Sequence, residues 1–312
     1  MSILITAFFT VLILLAVSLG GFILRKKNMV GDGCIPGLSK VLLYICQPCL
    51  AIYTFSEVQY SWQLVKNLLI FAGLLAVVYV AVLGGSFLVL RKKYSSAIYR
   101  ILTIATAFSN CAFFGIPVIE ALMPEVAGEV IIYTTVFGLI MNILGWTVGS
   151  AIIANDIKYM SPKKIILNPA TVGTFIAIVI FVFGITFPPE LSSIVATTGK
   201  SCTPLSMIII GMRLATVEFK KMFTDIRIYL TLAVKQIVMP VIVFLLVFSL
   251  DMIDLNLRKT LFITCACPAA SVVLNFAEIV GEGQKEAANL VLLSTISSII
   301  TLPVAMLLLP LI

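Results

Sequence analysis

Two stretches of this 312-residue chain, 106–120 and 264–278, carry polar side chains able to do chemistry inside otherwise apolar runs. The first holds Ser109, Asn110, Cys111, Gly115 and Pro117, and the second holds Pro268, Ser271 and Asn275. Each begins with a threonine (Thr106, Thr264) and ends on a glutamate (Glu120, Glu278) at the same spacing. A proline removes one backbone donor and clashes with the preceding turn, leaving carbonyls and amides without helical partners. In hydrocarbon such groups are costly, so breaks survive where they are buried in protein or line a wet cavity. Nearby hydroxyls and carboxamides can satisfy the freed groups or meet a substrate. A half-helix that starts at such a break also points its positive end there, which favours an anion. One segment of this kind reads as a kinked helix glued to its neighbours by Asn and Ser. Two in matched positions point to a transporter's binding site.

The substrate-binding set expected on this basis is Ser109, Asn110, Cys111, Pro117, Pro268, Ser271 and Asn275, with Asn142 from the fifth apolar run. Lys235 lies about two turns into the eighth run, near Pro240. An ammonium there either snorkels to the surface or compensates charge inside the bundle. Ser294, Thr295, Ser297 and Ser298 give the tenth run a polar inner face. Glu120 and Glu278 sit near span ends, where water can reach them, and serve as register marks.

Bond-making chemistry is poorly provided for. The chain has no histidine, which excludes a Ser-His-Asp triad, a His-ligated metal and a histidine proton relay. No paired acids or nucleophile–base constellation falls inside the apolar runs, so an enzyme is not expected, nor a cofactor or metal. Six of the seven cysteines lie in or at the edges of apolar segments. Cys46, Gln47, Pro48 and Cys49 spell a redox motif but sit in an expected membrane helix, away from any βαβ context. No Gly-rich phosphate loop is present, so ATP-driven transport would need another subunit.

The elements that position these residues follow from composition. Hydrophobic residues make up 61% and charged ones 11%, against roughly 45–50% and 25% in soluble domains. Such a chain is an integral membrane protein and binds the lipid bilayer. The net charge of +7 does not signal nucleic acid, because the basic residues form short clusters between apolar runs rather than a stripe. The spans expected are 3–24, 38–56, 64–90, 99–122, 129–154, 165–187, 191–213, 227–250, 259–281 and 287–311, each near the ~20 residues a helix needs to cross hydrocarbon. Arg25, Lys26 and Lys27 directly follow the first run, and no basic residue precedes it, so it reads as a retained span with the amino terminus outside. Arg91, Lys92, Lys93 and Arg100, then Lys158, Lys163 and Lys164, then Lys220, Lys221 and Arg227 fall in alternate connections. That bias places both termini outside a cytoplasmic membrane. The last connection dissents, since Glu282 and Glu286 outnumber Lys285, but acidic residues count little in the rule.

Shifting the chain by roughly 156–158 residues brings Pro48 onto Pro204, Thr106 onto Thr264, Asn110 onto Pro268 and Glu120 onto Glu278. Halves of five spans each, residues 1–156 and 157–312, must enter the membrane in opposite senses. Inverted repeats of this kind place their site at the repeat interface near mid-membrane.

In these residues the chain resembles the auxin efflux carrier family, in its compact bacterial malate or malonate permease-like form. The likeness runs the full length. It rests on Asn168, Pro169 and Ala170 opening the sixth span, Thr203, Pro204 and Leu205 with Gly211 in the seventh, and Lys235 before Pro240. Ser109 and Asn110 through Phe114, Gly115, Ile116 and Pro117 add to it, as do Pro268 with Ala269, and Ser294 and Thr295 leading to Thr301, Leu302 and Pro303. The resemblance implies an all-α membrane fold of ten helices in two inverted repeats. Helices one, two, six and seven would form a scaffold, often dimeric. Helices three to five and eight to ten would form a transport domain whose fourth and ninth members are broken and cross. It also implies a secondary transporter moving a small organic anion, a mono- or dicarboxylate, by an elevator-like mechanism. Where the family often has Thr or Ser and then Gly after the crossover asparagine, Cys111 and Ala112 stand here, which bears on substrate identity. The long central loop of plant members is absent, and the third span contains no acid. Whether Na⁺, H⁺ or nothing is coupled stays open, and so do an anion channel and a membrane receptor as alternative functions.

Overall fold

The computed structural model describes residues 2–31, 33–160, 162–216 and 225–312. Lys220 and Lys221, expected in a basic connection, lie outside the described residues, as does the side chain of Lys164. The described chain is helical, with no strand and one isolated antiparallel bridge between Ser109 and Ala269.

Among the described residues, seven helices are long and apolar enough to cross a membrane: α1 (Ile3–Lys26), α2 (Cys34–Ser56), α3 (Trp62–Lys93), α6 (Ala127–Ala154), α8 (Pro189–Leu214), α9 (Ile226–Phe248) and α12 (Gln284–Leu311). Between them lie shorter helices, namely α4 (Ala97–Ala107), α5 (Cys111–Leu122), α7 (Pro169–Phe183), α10 (Leu255–Ala266) and α11 (Val272–Val280). Local chemistry sets several starts. The Ser61 side chain accepts from the Leu64 N–H, Asn168 accepts from Ala170 ahead of Pro169, and Asp254 accepts from Leu257. These caps satisfy amides that a helix start leaves free. Asp225 caps α9 and also takes the Arg227 guanidinium at 2.6 Å, and that hydrogen bond holds its carboxyl below the usual carboxylate range.

Among the described residues four helices contain a π turn, and three of these turns end two residues before a proline. Leu42–Cys46 precedes Pro48, Cys111–Gly115 precedes Pro117, and Val234–Val238 precedes Pro240. A proline inside an α-helix has no N–H to give and its ring collides with the carbonyl four residues back. Widening the preceding turn relieves that collision while keeping the helix continuous. The expectation that Pro117 breaks its span is therefore corrected: the break lies at residues 108–110, and Pro117 rides in the first turn of regular helix beyond it. Pro268 does fall in the second break, at residues 267–271.

Packing is closest where small residues let backbones meet, as membrane helices favour. α1 packs along α8, and α2 packs along α7. A Cβ added at Gly211 of α8 would lie 1.7 Å from the Ser18 carbonyl oxygen, and one at Gly21 of α1 would lie 2.0 Å from that of Ile208. No side chain fits at either crossing. Replacing Gly211 by Val should therefore abolish folded yield or destabilise by about 3 kcal/mol or more. Gly20→Ala, with nothing within 4 Å of its Cβ, should leave detergent thermal melts level or slightly raised, since alanine favours the helix.

Candidate functional site

Phe108 ends α4 in extended conformation, and Asn110 turns the chain into α5. Cys267 likewise leaves α10 extended before α11 begins. The two breaks lie antiparallel and pair with each other. The Asn110 N–H donates to the Pro268 carbonyl at 2.8 Å, and the Ala270 N–H donates to the Phe108 carbonyl at 3.0 Å. A third amide, that of Ala269, donates to the Ser294 hydroxyl of α12 at 2.7 Å. Ser109, Asn110, Cys111 and Pro268 are all buried here.

The π turn of α9 fastens both breaks. Lys235 is 0% exposed. Its ammonium donates to the Ser109 hydroxyl at 2.5 Å, to the Cys265 carbonyl at 3.0 Å and to the Met239 sulfur at 3.2 Å. Cys265 belongs to the last turn of α10, where the helix dipole favours a cation. No carboxylate of the described residues pairs with this ammonium. Of the two roles left open for Lys235, snorkelling is thus excluded. Its neighbour Gln236 donates from Nε2 to the Ser294 carbonyl at 2.7 Å and accepts from the Ser297 hydroxyl at 2.6 Å. Successive residues of one turn thus reach the first break directly and the second through Ser294.

Two small pockets flank the crossing. One, of about 40 Å³, is lined by Ser39 of α2, Ser206 and Arg213 of α8, and Ser271 and Asn275 of α11 among others. The other, of about 50 Å³, is lined by Gln47 of α2, Ala112 of α5, Thr135 and Asn142 of α6, and Thr174 of α7 among others. Ser271 stands at the N-terminus of α11 and Ala112 in the first turn of α5, so each pocket meets a helix start. The residues expected to bind substrate are therefore divided. Ser271 and Asn275 line one pocket, Asn142 lines the other, and Ser109, Asn110, Cys111 and Pro268 build the crossing between them. Pro117 is half-buried about two turns along α5 and lines neither pocket. Cys111 directs its thiol at the Thr134 carbonyl, 3.8 Å away. Cys46 and Cys49 are free thiols on one helix, and no group of three or more potential metal ligands occurs among the described residues.

A family model described as membrane transport protein, that of the auxin efflux carriers, matches residues 6–160 and 155–306. The chain belongs to the auxin efflux carrier family. It is a multi-pass membrane transport protein. No curated protein sequence matches it. Within this auxin efflux carrier relative, three side chains that sequence reasoning did not place at the site prove close to it. Gln236 is the neighbour of Lys235, and its uncharged side chain carries no comparable signal in an apolar run. Ser294 appeared only as part of a polar face, and its link to Ala269 is tertiary. Arg213, which no sequence motif singles out, sits in the last turn of α8, lines a pocket and pairs with Glu278 at 2.6 Å.

Ser109→Ala should destabilise the folded protein by roughly 1.5–3 kcal/mol, since a buried ammonium loses an acceptor. In a Lys235→Met background the same change should cost at least about 1 kcal/mol less. Denaturation of the four proteins in one detergent measures that coupling.

Proposed function

We propose that the protein is a secondary transporter that moves a small organic anion, a mono- or dicarboxylate, by elevator-like alternating access. The observation that carries this reading is the Asn110 carboxamide. Asn110 is 4% exposed, and its Nδ2 is buried with no hydrogen-bond partner. An orphan donor of this kind costs about 1–3 kcal/mol. Such a cost is retained where a ligand supplies the missing acceptor. Around it the local field is positive: the Lys235 ammonium has no carboxylate partner, and two helix N-termini open beside the crossing. No acid lines either pocket. These features favour an anion over a cation.

In this reading the broken pairs α4–α5 and α10–α11 are each one crossing, so the chain spans the membrane ten times in two inverted halves. The antiparallel pairing of the breaks supports opposite senses for those halves. The scaffold comprises α1, α2, α7 and α8, which the close helix pairs α1–α8 and α2–α7 support. Helices α3–α6 and α9–α12 move past it with the crossing as cargo carrier. The protein resides in the cytoplasmic membrane with both termini outside, and the exposed apolar face of α7, including Phe175 and Phe183, suits dimerisation through the scaffold.

Asn110→Ala should abolish saturable binding and counterflow of small carboxylates in proteoliposomes. The melting temperature should stay level or rise, because the change removes an unpaired donor. Wild-type affinity in that variant would sink the assignment, and a large loss of stability would show Asn110 to be structural.

A further inference from the structure

The two pockets contain one charged side chain between them, Arg213. Its Nη1 reaches the Glu278 carboxylate at 2.6 Å, joining α8 to α11. On α11, Ser271, Asn275 and Glu278 are spaced i, i+4 and i+7, so they share one face. Ser206 and Arg213, seven residues apart on α8, share the face opposite. The helix start at Ser271 thus closes one end of this polar slot. Arg213, with Glu278 paired to it just outside the lining, marks the other, about 10 Å along the axis.

Resting on the anion-carrier reading above, we propose that Arg213 is the carboxylate-binding cation of this pocket, and that Glu278 is the resident carboxylate a substrate displaces. Three observations converge on partner exchange. The pocket's volume of about 40 Å³ suffices for water but not for a carbon chain bearing carboxylates. Room at the arginine therefore opens when Glu278 swings out. The glutamate side chain is 46% exposed, so it has water to move into, whereas the arginine is 17% exposed and held at the rim. A half-exposed pair of this kind is weak, so exchanging one carboxylate for another costs little. A planar guanidinium is also the donor that matches a carboxylate in bidentate fashion. The pair joins α8 of the scaffold to α11 of the moving part, so substrate binding at Arg213 also releases the link between them.

The test is binding of malonate, succinate and malate to purified protein in detergent at constant ionic strength, read by thermal shift and calorimetry. Glu278→Gln removes the competitor and should tighten the dissociation constant of the best acid by about tenfold. Arg213→Gln should weaken it at least about tenfold, and Arg213→Lys should recover only part of that loss. Effects of opposite sign at the two partners distinguish exchange from a merely structural bridge, in which both variants weaken binding alike. Equal weakening, or wild-type binding by Arg213→Gln, overturns the proposal while leaving the anion-carrier reading intact. No binding by the wild type overturns both. Should Arg213→Gln fail to yield folded protein, Glu278→Gln decides alone: tighter binding supports the exchange and weaker binding refutes it.

Discussion

A peptide group stranded in hydrocarbon costs several kcal/mol, and two helices of this protein are broken in its interior. The structure depends on how those breaks meet. Each supplies what the other lacks: Asn110 N–H to Pro268 carbonyl, Ala270 N–H to Phe108 carbonyl. Without its partner, each break would leave one buried amide and one buried carbonyl unpaired. The pairing also aims the starts of α5 and α11 into the bundle, where they meet the two pockets. The same interruptions that must be satisfied also expose helix ends, whose positive dipole ends face the pockets.

The strap from α9 extends that logic. Lys235 carries its charge into a site with no exposed surface, which is affordable because a hydroxyl, a helix-terminal carbonyl and a sulfur all receive its protons. Gln236 and Ser294 hold the second break from the next position. One turn of one helix thus sets the relative position of two others.

Much of this was legible in the sequence, and the limits are instructive. Apolar run lengths, a local property, located the seven long helices among the described residues, and the polar stretches fall where the two breaks pair. The first break does not lie where its proline suggests. Pro117 looked like the breaker, but the chain opens at residues 108–110, where no proline stands, because its partner is the other break, roughly 158 residues away. The depth of Lys235 could be read from its distance into the run, whereas its direction could not, since a π turn rotates it. Arg213 and Glu278 were hidden by their positions at helix ends, where charges ordinarily report topology.

The prolines that follow widened turns have a consequence for how such helices are aligned and engineered. A π turn is in effect a one-residue insertion that the helix absorbs without unfolding, turning everything beyond it by about 100°. In α2 and α9 the face presented before the turn is therefore not continued after it, and a single helical periodicity misassigns one side or the other. Removing one residue from Val234–Val238 would be sterically mild for the helix as a rod. It would nonetheless swing the entire second half of α9 to a new azimuth. The proline acts as the keeper of that extra residue, fixing the phase between the two halves of its own helix.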